Sequence, residues 1–234
     1  YQRGLDYLYR FTGPDNVVAK RMLRGAADAD PRFAAPLGAL AYALYFDHAL
    51  QFSASPELTV GEALEVGRAA ISRDASDPWA QFGMGRAHEI AEQYPEAIAR
   101  LQKTIELSPN FALAYLGLAV AMNLSGRHTE AIANAETAIR LSPRDPVRWG
   151  SETQLAVAYF QLCEYERTAE AARNAVRHPN AGFWPHLHLI AALAQLDRID
   201  EAEAAVVEFR TRWPDFRIAS LPRAVGVLDA SDAA

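Results

Sequence analysis

The chain has 234 residues, half of them apolar with much alanine, and a net charge of −6 from 23 basic and 29 acidic side chains. Alanine packs helices closely and has the best helix propensity, so an all-helical class is expected; no block of five or six like charges occurs, so the clustered basic footprint that nucleic acid needs is absent. A lone cysteine, Cys163, excludes an internal disulfide and suits a reducing compartment.

The first stretch, 1–31, predicts a degenerate helical pair. A short helix over 2–10 is followed by turn chemistry at Thr12-Gly13-Pro14-Asp15. A second helix over 17–29 carries Ala19, Leu23 and Ala26 at i, i+4 and i+7. We take 1–33 as an N-terminal unit truncated at its front. The chain starts at Tyr1 without Met and shows no signal-peptide pattern, and we read it as a fragment of a longer protein.

The pattern restarts with a strongly apolar helix over 34–47. The uncharged run that contains it, 33–46, spans 14 residues, short of the roughly 18 to 20 that cross a bilayer. Membrane insertion is therefore not expected, and the location inferred is cytoplasmic. Its partner helix is expected over 59–73, opened by a capping box at Thr59-Val60-Gly61-Glu62. Between them, 48–58 is an insertion that reads either as a longer turn or extra helical turn, or as a contact loop.

The next two units align without a gap. Gly85 falls on Ala119, Ala97-Ile98 on Ala131-Ile132, Ile105 on Ile139, Leu107 on Leu141 and Pro109 on Pro143, all at one constant offset. Asp77-Pro78 supplies an N-cap and a proline at the first helical position, Pro95 stands at the start of a second helix, and Ser125-Gly126 marks a turn. A fifth unit, 146–179, is longer by three residues in its first helix and shorter by one near His178. The sixth, 183–214, recovers the register, and 217–234 reads as an irregular cap and disordered tail.

A fixed period of about 34 residues, each a pair of amphipathic helices ended by proline, resembles the tetratricopeptide repeat. The resemblance implies an all-α, right-handed α-solenoid of helix-turn-helix repeats over 34–216, with a concave and a convex side. In that fold the inner groove is lined mainly by one side of each first helix. Carried over by register, this gives Tyr42, Tyr45 and Phe46, then Trp79, Phe82, Arg86 and Glu89, then Leu116, Val120 and Asn123. The fifth unit, its register open, gives Phe160 and Gln161, and the sixth Trp184, Leu187 and Gln195.

Catalytic constellations reduce to near misses. His88-Glu89-Ile90-Ala91-Glu92 lacks the second imidazole of a zinc-protease helix, and His88 falls at a core slot of the repeat. His186 and His188 point about 200° apart on a helix and do not share a metal. Gly83-Met84-Gly85 lies within a helix and follows no strand, so these glycines read as sites of close packing rather than a phosphate loop. Cys163 stands where the repeat usually has glycine, and Asn123-Leu124-Ser125 matches a glycosylation sequon by pattern only.

Other short segments, among them Arg3-Gly4-Leu5-Asp6-Tyr7-Leu8-Tyr9-Arg10, Arg140-Leu141-Ser142-Pro143-Arg144-Asp145-Pro146 and Trp213-Pro214-Asp215-Phe216, are similar to the C-terminal repeat region of bacterial class III adenylate or guanylate cyclases and of winged-helix transcription regulators. That resemblance implies a sensing or protein-contact role beside a catalytic or DNA-binding domain. The expectation is a non-catalytic module for a protein or peptide partner, without cofactor or metal, with a homodimer as an open association. Of the groups that grip a C-terminal carboxylate in such repeats, Arg86 and Asn123 are present and the lysines are not. The alternative is a small-molecule sensor with an apolar pocket near Tyr42, Tyr45 and Trp79.

Overall fold

A computed structural model describes residues 1–217. The described residues form twelve helices and no strand. They fall into six antiparallel pairs: α1 (Gln2–Leu8) with α2 (Gly13–Ala29), α3 (Ala35–Ala49) with α4 (Pro56–Arg73), α5 (Pro78–Ile90) with α6 (Tyr94–Leu107), α7 (Ala112–Leu124) with α8 (His128–Leu141), α9 (Arg148–Gln161) with α10 (Tyr165–Val176), and α11 (Trp184–Gln195) with α12 (Ile199–Arg212). The expected tail over 217–234 lies, from residue 218 on, outside the described residues.

The two helices of a pair differ in how much of their surface is covered. The first helix lies between neighbours on several sides, and in α3 twelve of 15 residues are buried, so its apolar pattern runs all round. The second is amphipathic: α6 buries Ala97, Leu101 and Thr104, and α8 buries Ala131, Ala135 and Ala138. Fully buried alanines at these crossings let the helix backbones approach. The approach is closest between α3 and α5, where a Cβ on Gly83 would sit 2.3 Å from the Gly38 carbonyl oxygen.

Helix starts follow local chemistry. Asp77 caps α5 by accepting the Ala80 N–H at 3.0 Å, with Pro78 at the first helical position. The capping box at Thr59 is not formed. Helix α4 begins one turn earlier, at Pro56, because Pro56 suits a first helical position and cannot donate within a helix. The Thr59 hydroxyl instead lies 2.8 Å from Ser53 Oγ and 3.1 Å from the Ser55 carbonyl oxygen, bracing the turn from inside.

The 48–58 insertion is thus largely absorbed by lengthening α3 and α4. In the fifth unit, α9 has 14 residues against 13 in α5 and α7. Most of its extra length lies in the connection 142–147 instead.

Every turn within a pair places one residue at positive φ: Phe11, Gln51, Glu92, Gly126, Cys163 and Asp197. Only one of them is glycine. The array also bends back on itself. Phe11, in the first turn, packs edge-on against Trp149 of α9 with ring centroids 5.6 Å apart, and against Phe46 at 5.0 Å. Leu50, after α3, abuts Gly182, ahead of α11. The Trp184 indole donates to the Ala49 carbonyl at 3.0 Å across 135 residues. These contacts form a seam between the front and the back of the solenoid.

Candidate functional site

The seam bounds one side of a half-open cavity of about 400 Å³ on the concave side, within the range of small-ligand sites. Its wall comes from α3, α5, α7, α9 and α11, the first helix of five successive pairs. Tyr42, Tyr45, Phe46, Trp149 and Trp184 supply the aromatic surface, and Leu50, Ile90, Leu116, Val120 and Val157 supply aliphatic surface. Around it stand His48, Gln51, Glu92, Tyr94, His128 and Gln161, several of them at or beside the turns with positive φ.

Arg86 and Glu89 form the polar centre. They are one helical turn apart on α5, so their side chains share a face. Both side chains are buried, at 2% and 1% exposure. Arg86 Nη1 donates to Glu89 Oε1 at 2.9 Å and lies 2.8 Å from Oε2. The guanidinium stacks over the Tyr45 ring, 3.7 Å from its centroid. Gly117 on α7 makes this possible, since a Cβ there would meet Arg86 Nη1 at 3.1 Å.

Burial raises the Glu89 carboxyl to about 8 against the opposing pull of Arg86. Burial likewise raises the Tyr42 and Tyr45 phenols, opposed by the same guanidinium, and lowers His48, His128 and His188. His188, also on the wall, has its Nδ1 2.9 Å from the Trp184 carbonyl oxygen.

Four buried atoms on wall residues have no hydrogen-bond partner among the described residues: His48 Nδ1, Arg86 Nε, Trp149 Nε1 and Glu89 Oε2, the last being near Nη1 without hydrogen-bond geometry. Each such group costs about 1–3 kcal/mol while unpaired. Asn123 is fully engaged: its Nδ2 donates to the carbonyl and the Oε1 of Gln154, both at 3.0 Å, and its Oδ1 meets His128 Nδ1 at 3.2 Å.

Ten of the fifteen residues expected to line the groove converge on this cavity, namely Tyr42, Tyr45, Phe46, Arg86, Glu89, Leu116, Val120, Asn123, Gln161 and Trp184. Trp79, Phe82 and Gln195 do not line it. Trp79 and Phe82 belong to an aromatic stack between pairs, with Phe111 5.2 Å from each and Tyr42 4.8 Å from Phe82. Gln195 is exposed near the end of α11. Phe160 and Leu187 also lie off the wall, Phe160 packing on Tyr165 and His188.

Sequence reasoning missed Trp149, Thr153, Gln154 and Val157, because the lengthened connection shifts the stripe that α9 turns inward. Their spacing at i, i+4, i+5 and i+8 is a helical face, and would have located them. Tyr94 and His128 were missed too, although they open α6 and α8 one period apart and so occupy the same repeat position. His88, expected in a core slot, is half-buried and its Nδ1 meets Gln93 Oε1 at 2.7 Å. His186 packs on Trp213 at 5.0 Å, away from His188, as their spacing on a helix requires. Among the described residues no cluster of three His, Cys, Asp or Glu side chains is placed to hold a metal, and no helix is long and apolar enough to cross a membrane.

No protein-family model matches the chain, and no curated protein matches it at a significant level. Solved structures do. The chain is similar to Pseudomonas aeruginosa PilF, with 20% identity, a TM-score of 0.62, and 92% of this chain and 90% of that one covered. It is also similar to a chain of the APC/C hetero-tetramer Cut9–Hcn1, with 17% identity, a TM-score of 0.72, and 95% and 43% covered. YrrB, described as a TPR protein with an unusual peptide-binding site, matches with 14% identity, a TM-score of 0.51, and 82% and 93% covered. The fold is therefore that of a tetratricopeptide α-solenoid.

Proposed function

We propose that the chain is a non-catalytic binding module that takes a short segment of a partner protein into the cavity of its concave face. The observation that carries this reading is the convergence of five helices on one aromatic-walled cavity with unspent polar groups. Tryptophan, tyrosine and arginine in a desolvated pocket are the residue types that dominate binding energy at protein interfaces. A relative in fold with a peptide-binding site supports the same direction. The similarity of short segments to repeat regions of bacterial cyclases and winged-helix regulators supports a regulatory place in a signalling protein of that kind.

A second reading, a sensor for a small-molecule effector, is favoured by the seam. Trp184 on Ala49 and Leu50 on Gly182 close the groove that an extended peptide would run along, which favours a compact occupant.

Selection of short peptides from a random library against the folded chain tests both. Val157 lines the cavity at partial burial, so Val157→Trp fills it with little loss of core. Peptides that bind the native chain and lose affinity at least about tenfold on the variant place the partner in the cavity. Peptides that bind both equally overturn the cavity as the site. If no peptide is enriched and a panel of metabolites raises the melting temperature of the native chain alone, the effector reading replaces the first.

A further inference from the structure

The exposed part of the cavity wall shows which way it opens. Gln51, Glu92, Gly126 and Gln161 are its exposed residues. They stand at or just past the C-terminal ends of α3, α5, α7 and α9. The mouth therefore faces the edge of the array made by the turns within pairs.

That edge is acidic. All six second helices start there, and each carries an acid in its first turn: Asp15, Glu57, Glu96, Glu130, Glu166 and Asp200. An acid at a helix start is favoured by the dipole, yet none of the six first helices has one in its first turn. The pattern thus belongs to an edge and not to helix starts in general. The opposite edge mixes both signs, with Asp74 and Asp77 near Arg73, and Asp145 between Arg144 and Arg148. At the three turns that reach the mouth, Glu57, Glu92 and Glu96 enter no ion pair among the described residues. The one arginine there, Arg127, is held on Glu130 by two hydrogen bonds of 2.7 and 2.6 Å. Glu92 opposes the burial that lowers His48 and adds to the burial that raises Tyr94, so wall residues from two helices feel its field.

The interior has the other sign. Its carboxyl raised to about 8, Glu89 is largely protonated at neutral pH and leaves the buried Arg86 guanidinium as the interior charge. The field of Arg86 keeps a cation at the mouth, and what passes beyond it among the five aromatic rings is uncharged.

We propose that the occupant is a basic segment of a partner protein, with an apolar or aromatic side chain inside the cavity and lysine or arginine side chains over the acidic rim. This rests on the proposed binding function and names the chemistry of its partner. Complementary charge at a rim sets selectivity and salt dependence, while the buried anchor holds the complex.

Four capped pentapeptides separate the two contributions. Three have a central phenylalanine flanked on each side by two lysines, two glutamines or two glutamates, and the fourth has alanine between the lysine pairs. Calorimetry and saturation-transfer NMR at neutral pH and about 20 mM salt should show the lysine peptide binding roughly tenfold tighter than the glutamine peptide, and the glutamate peptide weakest. At about 500 mM salt the ratio of lysine to glutamine peptide should shrink to about threefold or less. It should shrink likewise in the chain carrying Glu57→Gln, Glu92→Gln and Glu96→Gln together. If that variant fails to fold, which its circular dichroism melt would show, the salt dependence on the native chain decides alone. Alanine in place of phenylalanine, or Val157→Trp in the chain, should weaken the lysine peptide at least about tenfold.

Equal binding of the lysine and glutamine peptides, preference for the glutamate peptide, or a ratio indifferent to salt overturns the proposal. So does a lysine peptide that needs no phenylalanine, since charge then acts without the cavity. Binding of 2-phenylethylamine as tight as that of the lysine peptide overturns the peptide segment in favour of a free amine. Where a neutral or acidic peptide binds and is lost in Val157→Trp, the cavity survives as a binding site although the basic partner does not. Absence of binding by all four overturns the proposal, and the selection from a random library then judges the wider reading separately.

Discussion

The turn after each first helix asks one residue to adopt a left-handed backbone, and the six answers are Phe11, Gln51, Glu92, Gly126, Cys163 and Asp197. A side chain in that region costs about 1 kcal/mol or more relative to glycine. At Cys163, φ is 60° and the side chain is exposed, so no packing offsets the strain. Cys163→Gly should stabilise the chain by about 1 kcal/mol, read as a rise in the urea midpoint with an unchanged slope. An unaltered or lower midpoint would show that the flexibility glycine adds to the unfolded chain cancels the relief. This position was legible because the repeat alignment puts Cys163 under Gly126.

Glu89 poses a different question at the same scale. Its carboxyl, raised by burial from 4.5 to about 8, binds its proton in the folded chain at pH values where the unfolded chain has released it. By linkage, its contribution to stability falls as pH rises through that window. Glu89→Gln removes this dependence. The melting temperature of the variant relative to the native chain should therefore climb between about pH 5 and about pH 8.5, and a pH-independent difference would count against burial as the controlling cause. Tyr42, Tyr45, Arg86 and Tyr94 are the other titratable groups coupled to Glu89 or its partner, and all remain in both proteins.

At the scale of helices, two glycines in regular helix have opposite reasons to be there. Gly83 touches the α3 backbone, and its missing Cβ allows the closest approach in the array. Gly61 on α4 has nothing within 4 Å of the place a Cβ would take. Gly83→Ala must push α3 and α5 apart and should cost about 3 kcal/mol, whereas Gly61→Ala should gain about 0.5–1 kcal/mol from its greater helix propensity. Denaturant melts of the pair check both signs. If Gly83→Ala proves as mild as Gly61→Ala, the crossing of α3 and α5 is looser than this geometry.

Close packing was the reading that Gly83 invited from the sequence, because a glycine between apolar residues mid-helix has no turn to make. The second helix of the clean repeats was just as legible from Ala97 with Leu101, and Ala131 with Ala135. Helix ends were less so. Thr59 with Glu62 has the spacing of a cap, but Pro56 three residues earlier starts the helix first, and spacing alone does not rank two competing starts.

A linear repeat array couples each unit only to its neighbours, so its ends should open independently. The seam changes that expectation here. Trp184 caps a carbonyl at the end of α3 that the helix cannot satisfy itself, and Leu50 fills the space left by Gly182. None of this was legible, because a repeat period describes what adjacent units share and says nothing of contacts 135 residues apart. The same limit explains the site. Register found the wall residues of α3, α5 and α7, yet it also offered Trp79 and Phe82, whose inward turn ends in the aromatic stack against Phe111 and not in the cavity.

The seam makes a prediction that a linear array does not share. Trp184→Phe keeps the ring and loses the indole N–H, costing about 1 kcal/mol. In hydrogen exchange, amides at the end of α3, such as Leu50, which bonds to the Phe46 carbonyl at 3.0 Å, should lose protection by roughly fivefold, the equivalent of that loss. Amides in the middle of α8, which has no part in the seam, should not change. Faster exchange confined to α11 and α12 would mean that the ends open separately and that this contact does not tie them together. Coupled loss at α3 would show that the seam ties the two ends of the array into one cooperative unit around the cavity.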